Sequence, residues 1–188
     1  MTSNIPQFPV GEKFDVILAD PPWRYDFSRV KKWGIEEQYP TMSLEDICAI
    51  NVPSAKDSIL LLWATSPKLE EAFKVLENWG FNYKTCMVWD KIRIGMGYYW
   101  MQQHEILLLA SKGHPEIPIS GNRPSSVLRA KFAGHSRKPD EIYAMIKKMF
   151  PGKSYLEMFA RTKANGFETY SLDVEENEKE TKEIMEMF

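Results

Sequence analysis

Five short, almost uninterrupted apolar runs divide the chain: Phe14–Ala19, Ser58–Ala64, Tyr83–Trp89, Glu105–Ala110 and Tyr155–Ala160. Runs of this length, rich in Val, Ile, Leu and aromatic residues and closed by turn formers, predict strands buried on both faces. Between them the apolar period changes. Pro67–Leu76 carries Leu69, Ala72, Phe73 and Leu76 at helical spacing, with proline in its first turn and Gly80 ending it. Pro139–Met149 has proline at the first helical position, acids in the first turn and lysines in the last, which marks a second helix. Ser43–Ile47 predicts a short third helix, with Ser43 as N-cap and Asp46 at the capping-box position. Strands alternating with helices predict an α/β domain. A right-handed crossover would make the strands around residues 58–64 and 83–89 parallel neighbours.

A length of 188 residues suits one such domain, read as residues 1–172, followed by an acidic tail over 173–188. No apolar run approaches the ~20 residues that span a bilayer, and the first residues lack a basic and apolar signal pattern, so a cytoplasmic protein with no membrane partner is expected. Cys48 and Cys86 lie far apart in apolar contexts and the three histidines have no zinc-type spacing with them, which favours buried thiols over a disulfide or a metal site. The net charge of −2 conceals two unlike parts. The tail holds seven acids against Lys179 and Lys182, leaving residues 1–172 with 22 basic and 19 acidic side chains, a net of +3. Within residues 117–139 stand Arg123, Arg129, Lys131, Arg137 and Lys138 with no acid, a basic stretch suited to phosphate.

The chemistry concentrates where the first run stops, at Asp20-Pro21-Pro22-Trp23. Neither proline can continue a central ladder, so the carboxylate sits at a strand's C-terminal edge, where open α/β sheets bind ligands. The exocyclic amine of adenine or cytosine is a poor nucleophile, because its lone pair is delocalised into the ring. A carboxylate and a fixed carbonyl, Asp20 and that of Pro21, would accept its two N–H groups and aim the pair at an electrophile. Prolines hold both acceptors still. Residues 24–38 lack periodicity and read as a loop over the site. Gly95–Trp100 is no phosphate-binding loop, since it has no Lys-Ser/Thr ending and opens no helix; its aromatics read as stacking or wall residues. Glu157 interrupts an apolar strand, and a charge there calls for a cation or ligand hydroxyls unless the strand lies at an edge.

Ala19–Trp23, Gln38–Ser43, His135–Glu141 and Leu156–Arg161, in that order, resemble the N(6)-adenine methyltransferases related to the catalytic subunit of eukaryotic mRNA adenosine methyltransferase. The likeness covers roughly residues 12–172 and suggests the short type typical of bacteria and their phages. It implies a Rossmann-like, S-adenosylmethionine-dependent methyltransferase fold, mostly parallel with helices on both faces and in circularly permuted motif order. The activity implied is direct in-line methyl transfer to the N(6) amine of adenine in nucleic acid, DNA favoured over RNA. The implied catalytic group is Asp20, Pro21, Pro22, Trp23 and Tyr39, with the target base stacked against Trp23 or Tyr39. Lys138 matches the residue that holds the cofactor's carboxylate, and Glu157 and Arg161 match residues near its ribose; Asp20 borders the same site. Arg24, Tyr98, Tyr99, Arg123 and Arg137 are the candidate contacts to substrate. A second copy or a related subunit is a candidate partner.

The chain departs from the family pattern near its end. Gly166–Asp173 replaces a closing Gly-Trp, two residues and Trp-Gly-Asn-Glu; Lys163 and Ala164 stand where relatives often carry histidine and asparagine; and no Asp-Ile/Val-Arg segment precedes the first strand. An N(4)-cytosine methyltransferase shares the amine geometry. A non-catalytic nucleic-acid-binding subunit would fit the altered ending, although the intact Asp20 argues for catalysis.

Overall fold

The computed structural model describes residues 11–25, 41–97, 99–131, 137–160 and 164–170. Tyr39, Tyr98, Arg161, most of the expected loop over the site and the acidic tail lie outside them. Among the described residues the strands are β1 Phe14–Ala19, β2 Ser54–Ala64, β3 Asn82–Asp90, β4 His104–Lys112, β5 Val127–Arg129, β6 Tyr155–Met158 and β7 Glu168–Tyr170, and the helices α1 Leu44–Cys48, α2 Leu69–Asn78 and α3 Glu141–Met149.

One mixed sheet runs in the order β5-β3-β4-β2-β1-β6-β7. Its pairings are parallel except those that β4 makes with β2 and β3. The sheet is therefore mostly parallel, as expected, but one detail differs. β2 and β3 run in the same direction yet are not neighbours: β4 lies between them, antiparallel to both. A short connection from β3 can return only antiparallel beside it, and β4 thereby fills the gap that the α2 crossover leaves.

Strand alternation sends two sets of side chains to opposite faces. Ile17, Leu60, Leu62, Leu108 and Leu156 pack beneath α1 and α2 with Val75, Leu76 and Trp79, while Val16, Leu18, Ile59, Leu61, Trp63 and Leu107 pack beneath α3 with Ile142 and Ile146. Helices on both faces explain why these strands read as continuous apolar runs. Ser43 caps α1: its Oγ accepts from the Asp46 amide at 3.1 Å and donates to Asp46 Oδ2 at 2.9 Å. Gly80, at φ +76°, closes α2, with the Phe81 amide donating to the Leu76 carbonyl at 2.9 Å. Pro139 stands two residues before α3 rather than inside it, its carbonyl accepting from the Ile142 amide. Cys48 and Cys86 are free and half-buried rather than fully buried. Among the described residues no helix is long and apolar enough to cross a membrane.

Candidate active site at the carboxyl edge of the sheet

β1, β2 and β3 all end at one edge of the sheet, and β4 begins there. Register then decides which side chains meet. Leu18 pairs with Leu61 on one side and Glu157 on the other. Two residues further along, the same face carries Asp20 beyond β1 and Trp63 opposite Leu107, and the next step along β4 is Glu105, opposite Trp89. Glu157, Asp20, Trp63 and Glu105 thus follow the α3 face toward its open edge.

Lys138, three residues before α3, drops onto this row. Its Nζ lies 2.6 Å from Asp20 Oδ2 and 3.3 Å from Glu105 Oε2, and 5.5 Å above the Trp63 ring. Glu105 Oε1 is held in turn by Lys91 Nζ at 2.5 Å, from the residue after β3. The result is a ladder of alternating charge, Lys91–Glu105–Lys138–Asp20, whose inner members are only 14–15% exposed. Burial disfavours the Lys138 ammonium, but the Asp20 and Glu105 carboxylates outweigh it and raise its pKa above the ordinary lysine value. Burial likewise pushes Glu105 up, and the two lysines more than compensate, leaving its pKa lowered. The charges of Glu105 and Lys138 are thus kept by their neighbours.

Glu157 behaves differently. β6 lies between β1 and β7, so it is no edge strand, yet the partner of this acid is not a cation. Tyr143 of α3 donates its hydroxyl to Glu157 Oε1 at 2.9 Å, while Oε2 is buried without a hydrogen-bond partner among the described residues. Burial is the largest influence and raises the Glu157 pKa to about 7; Asp20 adds to the rise, and the Tyr143 bond and Lys138 oppose it.

The turn itself is well fixed. The Trp23 amide donates to the Pro21 carbonyl at 2.8 Å, the Met42 amide to the Pro22 carbonyl at 2.9 Å, and Asp20's amide reaches back to Met158. The Pro21 carbonyl keeps a second lone pair beyond that internal bond. Trp23 is 6% exposed and its Nε1 donates to the Trp63 carbonyl at 3.2 Å. Its ring braces the turn from within the core instead of standing open beside the acid. Across the edge, on the α1–α2 side, Tyr25 Oη lies 2.6 Å from Thr65 Oγ1 and Ser66 Oγ 3.3 Å from His104 Nε2, giving the site a polar rim.

The structure brings Asp20, Pro21, Lys138 and Glu157 together. Arg24 is exposed just past the turn, and exposed Arg137 pairs with Asp140 at 2.7 Å, one residue from Lys138. Tyr99 is 96% exposed in the connection between β3 and β4, which rises from the same edge. Arg123 is not brought to the site. It donates to the Pro118 carbonyl and lines a separate apolar cavity of about 640 Å³ with Lys84, Cys86 and Met149. Sequence reasoning passed over Glu105, Lys91 and Tyr143. Glu105 stands at the start of an apolar strand, and only the antiparallel course of β4 shows that this start lies beside the end of β1.

The MT-A70 family model matches residues 14–172. The chain is 34% identical to the Type II methyltransferase M.MunI of Mycoplasma sp over 195 residues, 93% of this chain and 83% of that protein. It is 34% identical to an N(6)-adenosine-methyltransferase MT-A70-like protein of Arabidopsis thaliana and 31% identical to the human N(6)-adenosine-methyltransferase catalytic subunit METTL3, covering 79% of this chain in both cases. It spans only 22% and 26% of those two proteins. On a match that spans every strand of the sheet, the chain belongs to the MT-A70 family of methyltransferases.

Proposed function

We propose that the protein transfers a methyl group from S-adenosylmethionine to the N(6) amine of adenine in nucleic acid. The observation that carries the reading is the Asp20 carboxylate at the sheet's carboxyl edge, anchored through Oδ2 by Lys138 beside the braced Pro21 carbonyl. In this reading Asp20 and the Pro21 carbonyl accept the two amine N–H groups and turn the nitrogen lone pair toward the methyl group. The acceptors move little as charge develops, which is where fixed dipoles help most. No cysteine or other nucleophile is required, because the amine attacks directly.

The residues present fit the cofactor. Glu157 Oε2 is a buried acceptor without a partner, suited to ribose hydroxyls, and Lys138 has a third ammonium proton beyond those aimed at Asp20 and Glu105, suited to a carboxylate. Bound there, S-adenosylmethionine supplies the electrophilic methyl that the protein lacks. Lys138 would hold both the cofactor's carboxylate and the catalytic acid, and so set their spacing. Arg161 and Tyr39, outside the described residues, complete the reading as ribose and pocket contacts. Arg24, Arg137 and the aromatic connection after β3 take the polymer. In this reading DNA is favoured over RNA, as the resemblance to the short type of the family implies.

The test is transfer of labelled methyl to matched single-stranded DNA, duplex DNA and RNA, with nucleosides identified by mass spectrometry. N(6)-methyladenine is expected, falling at least a thousandfold in Asp20→Ala. Methylated cytosine, or product that persists in the variant, would overturn the assignment.

A further inference from the structure

Between β3 and β4 the chain projects from the catalytic edge as a hairpin, residues 91–103. The Lys91 amide donates to the Gln103 carbonyl at 2.9 Å and the Gly95 amide to the Gln102 carbonyl at 2.7 Å. Toward the tip the two arms approach closely at Gly95 and Gly97. A Cβ on Gly95 would lie 2.8 Å from the Gln102 carbonyl oxygen, and one on Gly97 would collide with the carbonyl of Trp100. That closure turns large apolar side chains outward: Met96 is 87% exposed, Tyr99 96%, Trp100 80% and Met101 62%. Burying even one of these rings would be worth about 1.5–3 kcal/mol, so their collective exposure calls for an occupant.

The surroundings favour a polyanion. Residues 91–103 include Lys91 and Arg93 and no acid. β5, alongside β3, carries exposed Arg129, whose Nε lies 3.1 Å from Asp90 Oδ2 at the hairpin root, and Lys131 follows it. The root of the hairpin is joined to the chemistry through the ladder Lys91–Glu105–Lys138–Asp20. Three strand spacings separate β3 from β1, about 14 Å, or about four stacked bases along one strand. Five residues on each arm allow the tip to stand up to about 15 Å beyond the sheet. An apolar tip of Trp, Tyr and Met flanked by cations is the composition of side chains that enter between base steps and hold them apart.

We propose that this hairpin is a nucleic-acid wedge: Trp100, with Tyr99 and the flanking methionines, inserts into the stack near the target adenine and holds open the duplex from which that base is turned out. The inference rests on the adenine methyltransferase reading and specifies how its substrate is opened. The cost of extruding a base, a few kcal/mol for a paired adenine and much less for an unpaired one, is what the wedge offsets. Its removal therefore affects duplex far more than open strand.

The experiment compares wild type with Trp100→Ala on one sheared DNA preparation, either duplex or heat-denatured. The variant is expected to lose at least tenfold in transfer to duplex and less than threefold on the denatured strands. Quenching of intrinsic tryptophan fluorescence by the same duplex, without cofactor, reads insertion independently of chemistry. Trp23, Trp63, Trp79 and Trp89 are each no more than 6% exposed and Trp33 lies outside the described residues, so the part of the quench that is lost in Trp100→Ala reports on Trp100, and a quench undiminished in the variant would overturn the wedge. Equal losses on both substrates, no loss on either, or no quenching would overturn the wedge. So would a wild-type dimer, seen by light scattering, that the variant dissociates with equal loss on both substrates; the tip would then be an interface with a second copy. Wild type that methylates no polymer refutes the enzymatic reading alone, and the fluorescence then decides the wedge.

Discussion

Glu157 carries a stability penalty that pH should reveal. Its carboxyl titrates near 7 in the folded protein against an ordinary value of 4.5, chiefly because burial disfavours the anion. Between those values the unfolded chain has lost the proton and the folded protein still holds it. Unfolding then releases a proton, so stability falls as pH rises through this window and levels off above about 7. At about 1.4 kcal/mol for each tenfold change in proton affinity, the full penalty is about 3 kcal/mol. Glu157→Gln keeps the shape and an acceptor for the Tyr143 hydroxyl, which stands 2.9 Å away, but has no proton to lose. The variant should match wild type near pH 4.5 and be more stable by about 2–3 kcal/mol at pH 8. Tyr143→Phe removes a bond that favours the anion and should extend the wild-type decline to higher pH. Urea denaturation at half-unit steps from pH 4.5 to 8.5, for all three proteins, measures this directly. A difference between wild type and Glu157→Gln that stays constant across the range would refute the reasoning. Under the proposed function, cofactor affinity should move the other way, since the orphaned Oε2 that destabilises the fold would be the acceptor offered to the ribose.

Glu105→Gln leaves Lys138 with Asp20 as its sole anionic partner in the ladder and leaves Lys91 without its carboxylate; it should cost about 1–3 kcal/mol and lower kcat at least tenfold, with KM for the polymer little changed, by steady-state kinetics beside thermal melts. Leu62→Ala, on the central strand and fully buried against α1 and α2, should cost about 2–5 kcal/mol in denaturant while sparing transfer at low temperature, because Leu62 packs on the α1–α2 face of the sheet, opposite the α3 face that carries Asp20, Lys138 and Glu157.

Much of the architecture was legible because its causes are local. The β1 run ends at Asp20-Pro21 because two consecutive prolines cannot extend a ladder, and Ser43 and Gly80 mark helix boundaries through groups within four residues of themselves. The apolar runs announced strands covered on both faces, and the Asp20 turn announced an acid at the sheet's edge. What the chain does not encode locally is neighbourhood. That β4 enters between β2 and β3, bringing Glu105 to Lys138, depends on pairings between residues tens of positions apart. The same is true of Glu157, whose partner turned out to be a tyrosine on α3 and not a cation, and of Trp23, which packs inward. Arg123 lay in a basic stretch beside Lys138, yet the path of the chain into β5 carries it to another cavity. Local sequence set which elements form and where they stop, because propensity, capping and proline sterics act over a few residues; the order of strands set which charges meet, because that is settled only when distant segments compete to bury the same faces.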